Sequence, residues 1–211
     1  MKIIDISVPI KNNMLVWPGD PSVNNQKVNS IEAGDDANVT SISMSAHTGT
    51  HIDAPNHFVQ AGQTIENLDL NVLVGEVEVI EISPSIELIT TKVLKDLKIE
   101  KWSSRVLFRT CNSVRNLLGQ DHFSKDFVAI SKDAANYMVR RGVKLVGIDY
   151  LSIAPFEDSI NPHVSFLKNN TVILEGLDLS LVKAGVYHLI ALPLKLEGSD
   201  GAPARVILIQ Y

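Results

Sequence analysis

Short runs rich in β-branched and apolar residues, each closed by turn-forming residues, recur along the whole chain and restrict it to a fold built on sheet. Residues 3–8 and 39–45 alternate apolar and polar side chains, and residues 72–82 mix that alternation with β-branched residues. Shorter apolar runs follow at 105–110, 127–130, 143–149, 171–174, 186–192 and 205–211. All of these are expected as strands, so most of the core should be sheet.

Helical signals are fewer. The clearest is 131–141, where Ser131 can cap, Asp133 sits in the first turn, Arg140 and Arg141 close the end and Gly142 stops it. A strand at 127–130, this helix and the apolar run at 143–149 predict a βαβ crossover, hence a sheet that is parallel in part and covered by helices. A second helix is expected between Ser85 and Leu97, and a short one after Asn161. The expected class is α/β with a mixed, strand-rich sheet. No internal repeat, low-complexity tract or linker divides the sequence, so residues 1–211 are expected to form a single domain.

With 211 residues, 45% of them hydrophobic and 20% charged, the chain can bury a core without disulfides or a structural metal. The net charge of −5, with no run of like charge longer than a pair, argues against nucleic-acid binding, which needs clustered Lys and Arg. The single cysteine, Cys111, excludes an internal disulfide and any multi-cysteine metal site, and fits a reducing compartment. Asp5 interrupts any signal-peptide apolar core. The most apolar stretches, 72–82 and 186–194, are broken by Gly, Glu, His and Pro well short of the roughly 18 residues of a membrane span. A cytoplasmic protein with no membrane partner is expected.

Three of the six histidines, His47, His51 and His57, fall within eleven residues, together with Asp53. Gly49, two threonines and Pro55 disfavour a helix here, and the alternation leading into His47 favours a strand end followed by a tight loop. In extended chain His51 and Asp53 point the same way. Two imidazoles and a carboxylate can thus converge in the manner that suits zinc or a similar divalent ion, with a coordination position left for water. The alternative is that the histidines are isolated and make ordinary hydrogen bonds. No His-Glu-x-x-His helix, Gly-x-Ser-x-Gly elbow, phosphate loop or dinucleotide fingerprint occurs. A Cys111–His122 nucleophile pair is formally open, although Cys111 follows an apolar run where a lone thiol is usually a packed residue.

The stretch His47-Thr-Gly-Thr-His51-Ile-Asp53-Ala-Pro55-Asn-His57-Phe58 resembles the signature His-x-Gly-Thr-His-x-Asp-x-Pro-x-His-Phe of the cyclase family of metal-dependent hydrolases. That family includes bacterial kynurenine formamidases (arylformamidases), isatin hydrolases and some polyketide cyclases. Further blocks are similar to family blocks: Trp17-Pro-Gly-Asp20, Leu145-Val-Gly-Ile-Asp149, Val172-Ile-Leu-Glu175-Gly-Leu, and the segment from Leu192 to Arg205. The resemblance therefore spans nearly the whole chain. It implies a swivelling β/β/α domain assembled as a homodimer or larger homo-oligomer.

Position by position, the resemblance implies that His47, His51 and Asp53 bind one metal ion, with Asp53 able to bridge to a second. His163 would serve that second ion, Glu175 would bridge the pair, His57 would carry protons, and Trp17 would contact substrate. The implied cofactor is Zn²⁺, as one or two ions, with Mn²⁺ as an alternative. Two divalent ions outweigh the two carboxylates by two positive charges, which favours bound hydroxide near neutral pH. The implied reaction is hydrolysis of a small-molecule aryl formamide such as N-formylkynurenine. The alternatives are a cyclic amide or ester of the isatin type, and a non-catalytic metal-dependent binding module. The segments Asp149–Ser159 and Asp200-Gly-Ala-Pro resemble the broad family more than its kynurenine branch.

Overall fold

The computed structural model describes residues 1–211. Its strands are β1 (Lys2–Asp5), β2 (Asn24–Asn29), β3 (Val39–Ser43), β4 (His51–Asp53), β5 (Val74–Glu81), β6 (Leu88–Ile89), β7 (Arg105–Arg109), β8 (Ala129–Ile130), β9 (Leu145–Ile148), β10 (Val172–Glu175), β11 (Gly185–Pro193) and β12 (Gly201–Gln210). The α-helices are short: α1 (Leu70–Leu73), α2 (Thr91–Asp96), α3 (Cys111–Val114), α4 (Lys132–Arg140) and α5 (Asn161–Leu167).

The main sheet runs β1-β12-β11-β5-β7-β9-β10-β4, and β4 pairs back onto β12, so seven strands close into a barrel with β1 outside it. Strand β12 is long enough for this: residues 201–203 pair with β4, and residues 207–210 pair with β1. The β5-β7-β9-β10 portion is parallel, and the remaining pairs are antiparallel. This is the mixed, strand-rich α/β class expected from the short apolar runs.

Alternation along the strands creates two cores. Ile52, Leu107, Leu145, Leu174, Leu189 and Val206 point into the barrel and share one apolar cluster. Val106, Phe108, Val146, Ile148 and Ile173, one residue out of phase, meet Leu94 of α2, Met138 of α4 and Phe166 of α5 on the outside. Each fully buried Leu, Ile or Phe contributes roughly 1.5–3 kcal/mol, so both faces of the parallel strands hold the fold together. Helix α4 forms as expected: the Ser131 hydroxyl accepts from the Ala134 N–H, and Ala134, Ala135 and Met138 face the core.

Three local expectations are corrected. Residues 39–43 are a strand, but they pair only with β2 in an exposed two-stranded ribbon, leaving Val39 and Ile42 46% and 56% exposed. Alternation reports a pleat and does not say which face finds a core. The expected helix over 85–97 divides into β6 and α2, because Thr90 caps the Val93 N–H and starts the helix there. The crossover does not begin at 127–130: β8 is two residues long and pairs with β6, whereas β9 lies between β7 and β10. No helix is long and apolar enough to cross a membrane.

Candidate metal centre

The barrel seam between β4 and β10 gathers the site. These strands are antiparallel, with Glu175 opposite His51 and Ile173 opposite Asp53. Ile52 points into the barrel, so His51 and Asp53 point out of it, on the same face as Glu175. All three side chains are buried. The His47–His51 loop is held against β10 by a latch: the Thr50 hydroxyl donates to the Gly176 carbonyl at 2.5 Å and accepts from the Val8 N–H at 2.9 Å. At Gly176 the backbones meet so closely that a Cβ would stand 2.1 Å from the Gly49 carbonyl oxygen, and its φ of +67° is left-handed.

Each imidazole has an outer and an inner nitrogen. His51 Nδ1 donates to the Gly49 carbonyl at 2.9 Å, so Nε2 faces inward, 3.4 Å from Asp53 Oδ1 and 3.3 Å from Glu175 Oε2. His163, buried in the first turn of α5 behind Pro162, donates Nδ1–H to the Ser159 carbonyl at 2.6 Å. Its Nε2 then lies 3.1 Å from Glu175 Oε1 and 3.8 Å from Asp53 Oδ2. His47 places Nδ1 2.9 Å from Asp53 Oδ1 and Nε2 3.1 Å from Asp200 Oδ2.

A neutral imidazole has one N–H, so the inner nitrogens of His51 and His163 would present lone pairs to carboxylate oxygens. Only protons or a cation reconcile that arrangement. Without a cation, protons do so: burial opposes charge on His51, but hydrogen bonds to Asp53 and Glu175 prevail and push its pKa up to about 10. Burial likewise opposes charge on His47 and His163, yet hydrogen bonds to Asp53 and Glu175 respectively raise both. Burial works against ionisation of Asp53 and Glu175, and the neighbouring histidines hold both carboxyls below the usual range. Asp53 Oδ2 is buried with no hydrogen-bond partner. An orphaned carboxylate oxygen 3.8 Å from the inner nitrogen of His163 is what a divalent ion would satisfy, and the donor set of nitrogen and oxygen atoms fits such an ion.

His57 stands apart. Its ring stacks on His47 at 3.9 Å and lies 3.3 Å through Nδ1 from Asp200 Oδ2. It is 27% exposed and lines a cavity of about 170 Å³ together with His47, His51, His163 and Glu175. Burial leaves its pKa lowered, whereas in the other three histidines hydrogen bonds to carboxylates outweigh burial and raise it. Trp17 and Phe58 form apolar walls of the same cavity. Trp17 also packs edge-on against Phe123 at 5.1 Å, so it is both a packed residue and a cavity wall.

All seven residues singled out in the sequence thus meet at one place. Cys111 and His122 do not join them: Cys111 packs against the outer core, and His122 is exposed beside Asp121. Sequence reasoning gave no role to Asp200 or Phe58. Phe58 is the last residue of the histidine motif and stacks on His163 at 4.5 Å. Asp200 stands 153 positions from its partner His47, and no spacing rule links them.

A partly parallel barrel, with a buried His/Asp/Glu cluster fit for a divalent ion at one seam, defines the class. The chain belongs to the putative cyclase family, whose model matches residues 4–155. It is 41% identical to cyclase-like protein 2 of Arabidopsis thaliana, over 99% of this chain and 79% of that protein. It is 36% identical to a kynurenine formamidase of Bacillus cereus, over 97% of this chain and 96% of the relative. A solved structure described as a potential metal-dependent hydrolase with cyclase activity superposes with a TM-score of 0.84 at 35% identity, covering 98% of this chain and 96% of that one.

Proposed function

We propose that the protein is a metal-dependent amide hydrolase that cleaves a small aryl formamide, with N-formylkynurenine as the first substrate to test. The observation that carries this reading is the orphaned, buried Asp53 Oδ2 facing the inner nitrogen of His163, in a cluster with a histidine whose pKa is lowered rather than raised. The full-length likeness to a kynurenine formamidase supports the substrate class.

His47, His51 and Asp53 would hold one divalent ion, and His163 and Glu175, beside Asp53, would hold any second. Zn²⁺ suits these ligands, and Mn²⁺ is the alternative. When bound, such ions lower the pKa of water and polarise a carbonyl oxygen. The chain's own contribution is positioning and proton transfer. His57 is largely neutral near pH 7 and accessible from the cavity, so it can take the proton of the attacking water and give it to the departing nitrogen. The C–N bond breaks, a C–O bond forms, and a neutral arylamine and formic acid leave, the latter ionising to formate and releasing one proton to solvent. Protonation matters because an arylamine departs poorly as an anion. The walls of Trp17 and Phe58 can receive the aromatic ring. At about 170 Å³ the cavity is below the ~300–1,000 Å³ of drug-sized sites, so it suits the formanilide end, with the rest of a larger substrate outside the mouth.

The chain is expected to work as one domain in the cytoplasm, without nucleic-acid or membrane partners, and as a homodimer or larger assembly. Support for assembly comes from the β2–β3 ribbon, whose exposed Ile42 lines an open apolar hollow together with the exposed Leu194. Sedimentation should give at least a dimer mass, and Ile42→Glu should reduce it.

The test of function is release of kynurenine from N-formylkynurenine, followed by absorbance with Zn²⁺-loaded and with chelator-stripped protein. Turnover that depends on the metal supports the reading. Absence of turnover on N-formylkynurenine and on formanilide by fully loaded protein overturns it.

A further inference from the structure

We infer that Asp200 is a positioning residue that fixes the ring tautomers of His47 and His57 at once, and so links the metal centre to the proton carrier. The inference rests on the hydrolase reading above.

The geometry is specific. Asp200 immediately precedes β12; its carbonyl accepts the Ala54 N–H at 2.9 Å, and Gly201 pairs with Asp53 in register. These bonds tie the backbone at Asp200 to the strand that carries His51 and Asp53. Gly201 supplies the space: a Cβ there would stand 2.7 Å from His47 Cε1, so only glycine lets the imidazole lie on this backbone. The result is a single oxygen, Asp200 Oδ2, within 3.1 Å of His47 Nε2 and 3.3 Å of His57 Nδ1.

An ionised carboxylate only accepts hydrogen bonds, so His47 Nε2, which is hydrogen-bonded to it, faces it as N–H, and the nearby His57 Nδ1 is favoured as N–H by the same charge. With Nε2–H of His47 committed to Asp200, its Nδ1 lone pair is left facing Asp53 and available to a metal, the arrangement in which an outer carboxylate orients a metal-binding histidine. His57 Nδ1 lies 3.3 Å from the same oxygen, at ion-pair distance; a carboxylate there favours the proton on Nδ1 and leaves Nε2 as the atom that takes and delivers a proton. The stacking of the two rings at 3.9 Å and 24° keeps both nitrogens within reach of one oxygen. The competing view is that Asp200, with its side chain 42% exposed, makes only surface ion pairs worth little.

The test uses the full chain and its Asp200→Ala and Asp200→Asn variants, with Asp200→Glu as the conservative replacement. Zn²⁺ affinity is measured by competition with a chromogenic chelator. Imidazole ¹⁵N shifts of the Zn²⁺-loaded protein report tautomers, and kcat and KM for N-formylkynurenine are measured at saturating Zn²⁺. Native protein should show Nε2–H at His47 and Nδ1–H at His57. Asp200→Ala and Asp200→Asn should lose that pattern, bind Zn²⁺ about 10–100-fold more weakly, and keep a kcat deficit of about tenfold or more at saturating Zn²⁺ with KM within about twofold. Asp200→Glu should recover part of both losses.

Unchanged tautomers overturn the inference, and so does a kcat deficit that vanishes when Zn²⁺ saturates the variant, because His57 would then not depend on Asp200. If Asp200→Ala does not fold, the isosteric Asp200→Asn decides. If native, Zn²⁺-loaded protein hydrolyses neither N-formylkynurenine nor formanilide, the functional reading fails separately, and the tautomer and affinity measurements still decide the role of Asp200.

Discussion

The carboxylates of Asp53 and Glu175, 122 positions apart in sequence, are joined by a single imidazole nitrogen: His51 Nε2 lies 3.4 Å from Asp53 Oδ1 and 3.3 Å from Glu175 Oε2. Two buried acids this close to one nitrogen repel each other unless positive charge lies between them. Protons can supply that charge, and so can a divalent ion; exchange of one for the other underlies the expectations that follow.

Asp53→Asn keeps the shape of the side chain and removes its charge. Several kcal/mol of electrostatic stabilisation would be lost with the ion, so hydrolysis should fall by about 10³-fold or more. Metal analysis after dialysis should find the Asp53→Asn variant depleted while the native protein retains its ion.

His57→Ala separates binding from chemistry. The metal content should match that of native protein, while kcat falls by about 10²–10⁴-fold, the usual share of a general acid–base group. Loss of metal together with activity would place His57 among the ligands instead.

The pH dependence has a definite sign. In metal-free protein the pKa of His51 is raised from 6.5 to about 10, so its contribution to stability is fully present below pH 6.5 and is lost as pH rises toward 10. The melting temperature of metal-free protein should therefore fall across that window, and bound Zn²⁺ should flatten the fall. Zn²⁺ uptake in weakly buffered solution at pH 7.5 should release protons, because the ion displaces them from the histidines. Calorimetry in buffers of different ionisation enthalpy counts them.

Gly176→Ala sets a Cβ against the Gly49 carbonyl and strains a left-handed backbone position. A loss of about 2–4 kcal/mol in urea unfolding is expected. Zn²⁺ affinity should weaken with it, because the displaced loop carries His47 and His51.

What could be read from the sequence divides along physical lines. His47, His51 and Asp53 are legible as a cluster because they crowd one short segment and strand alternation points His51 and Asp53 the same way; the role of His57, which lies in the turn after β4, comes only through the family motif. His163 and Glu175 were identified through family blocks, because pairing of β4 with β10 is a long-range event that no local pattern encodes. Asp200 was missed for the same reason: it reaches His47 only because β12 pairs with β4 to close the barrel. The strand at 39–43 is legible but its surroundings are not: the pattern says that a strand forms, whereas pairing with β2 alone leaves Val39 and Ile42 exposed on the ribbon. The cap at Ser131 was legible because it needs only three neighbouring residues.

Anomalous scattering from crystals grown with Zn²⁺ tests the central claim most directly. The expected result is a strong peak about 2.0–2.2 Å from His51 Nε2 and from an Asp53 carboxylate oxygen, with any second peak beside His163 and Glu175. Fully occupied Zn²⁺ found only at other places on the protein, with His51 Nε2 still bonded to the two carboxylates through a proton, would contradict the account.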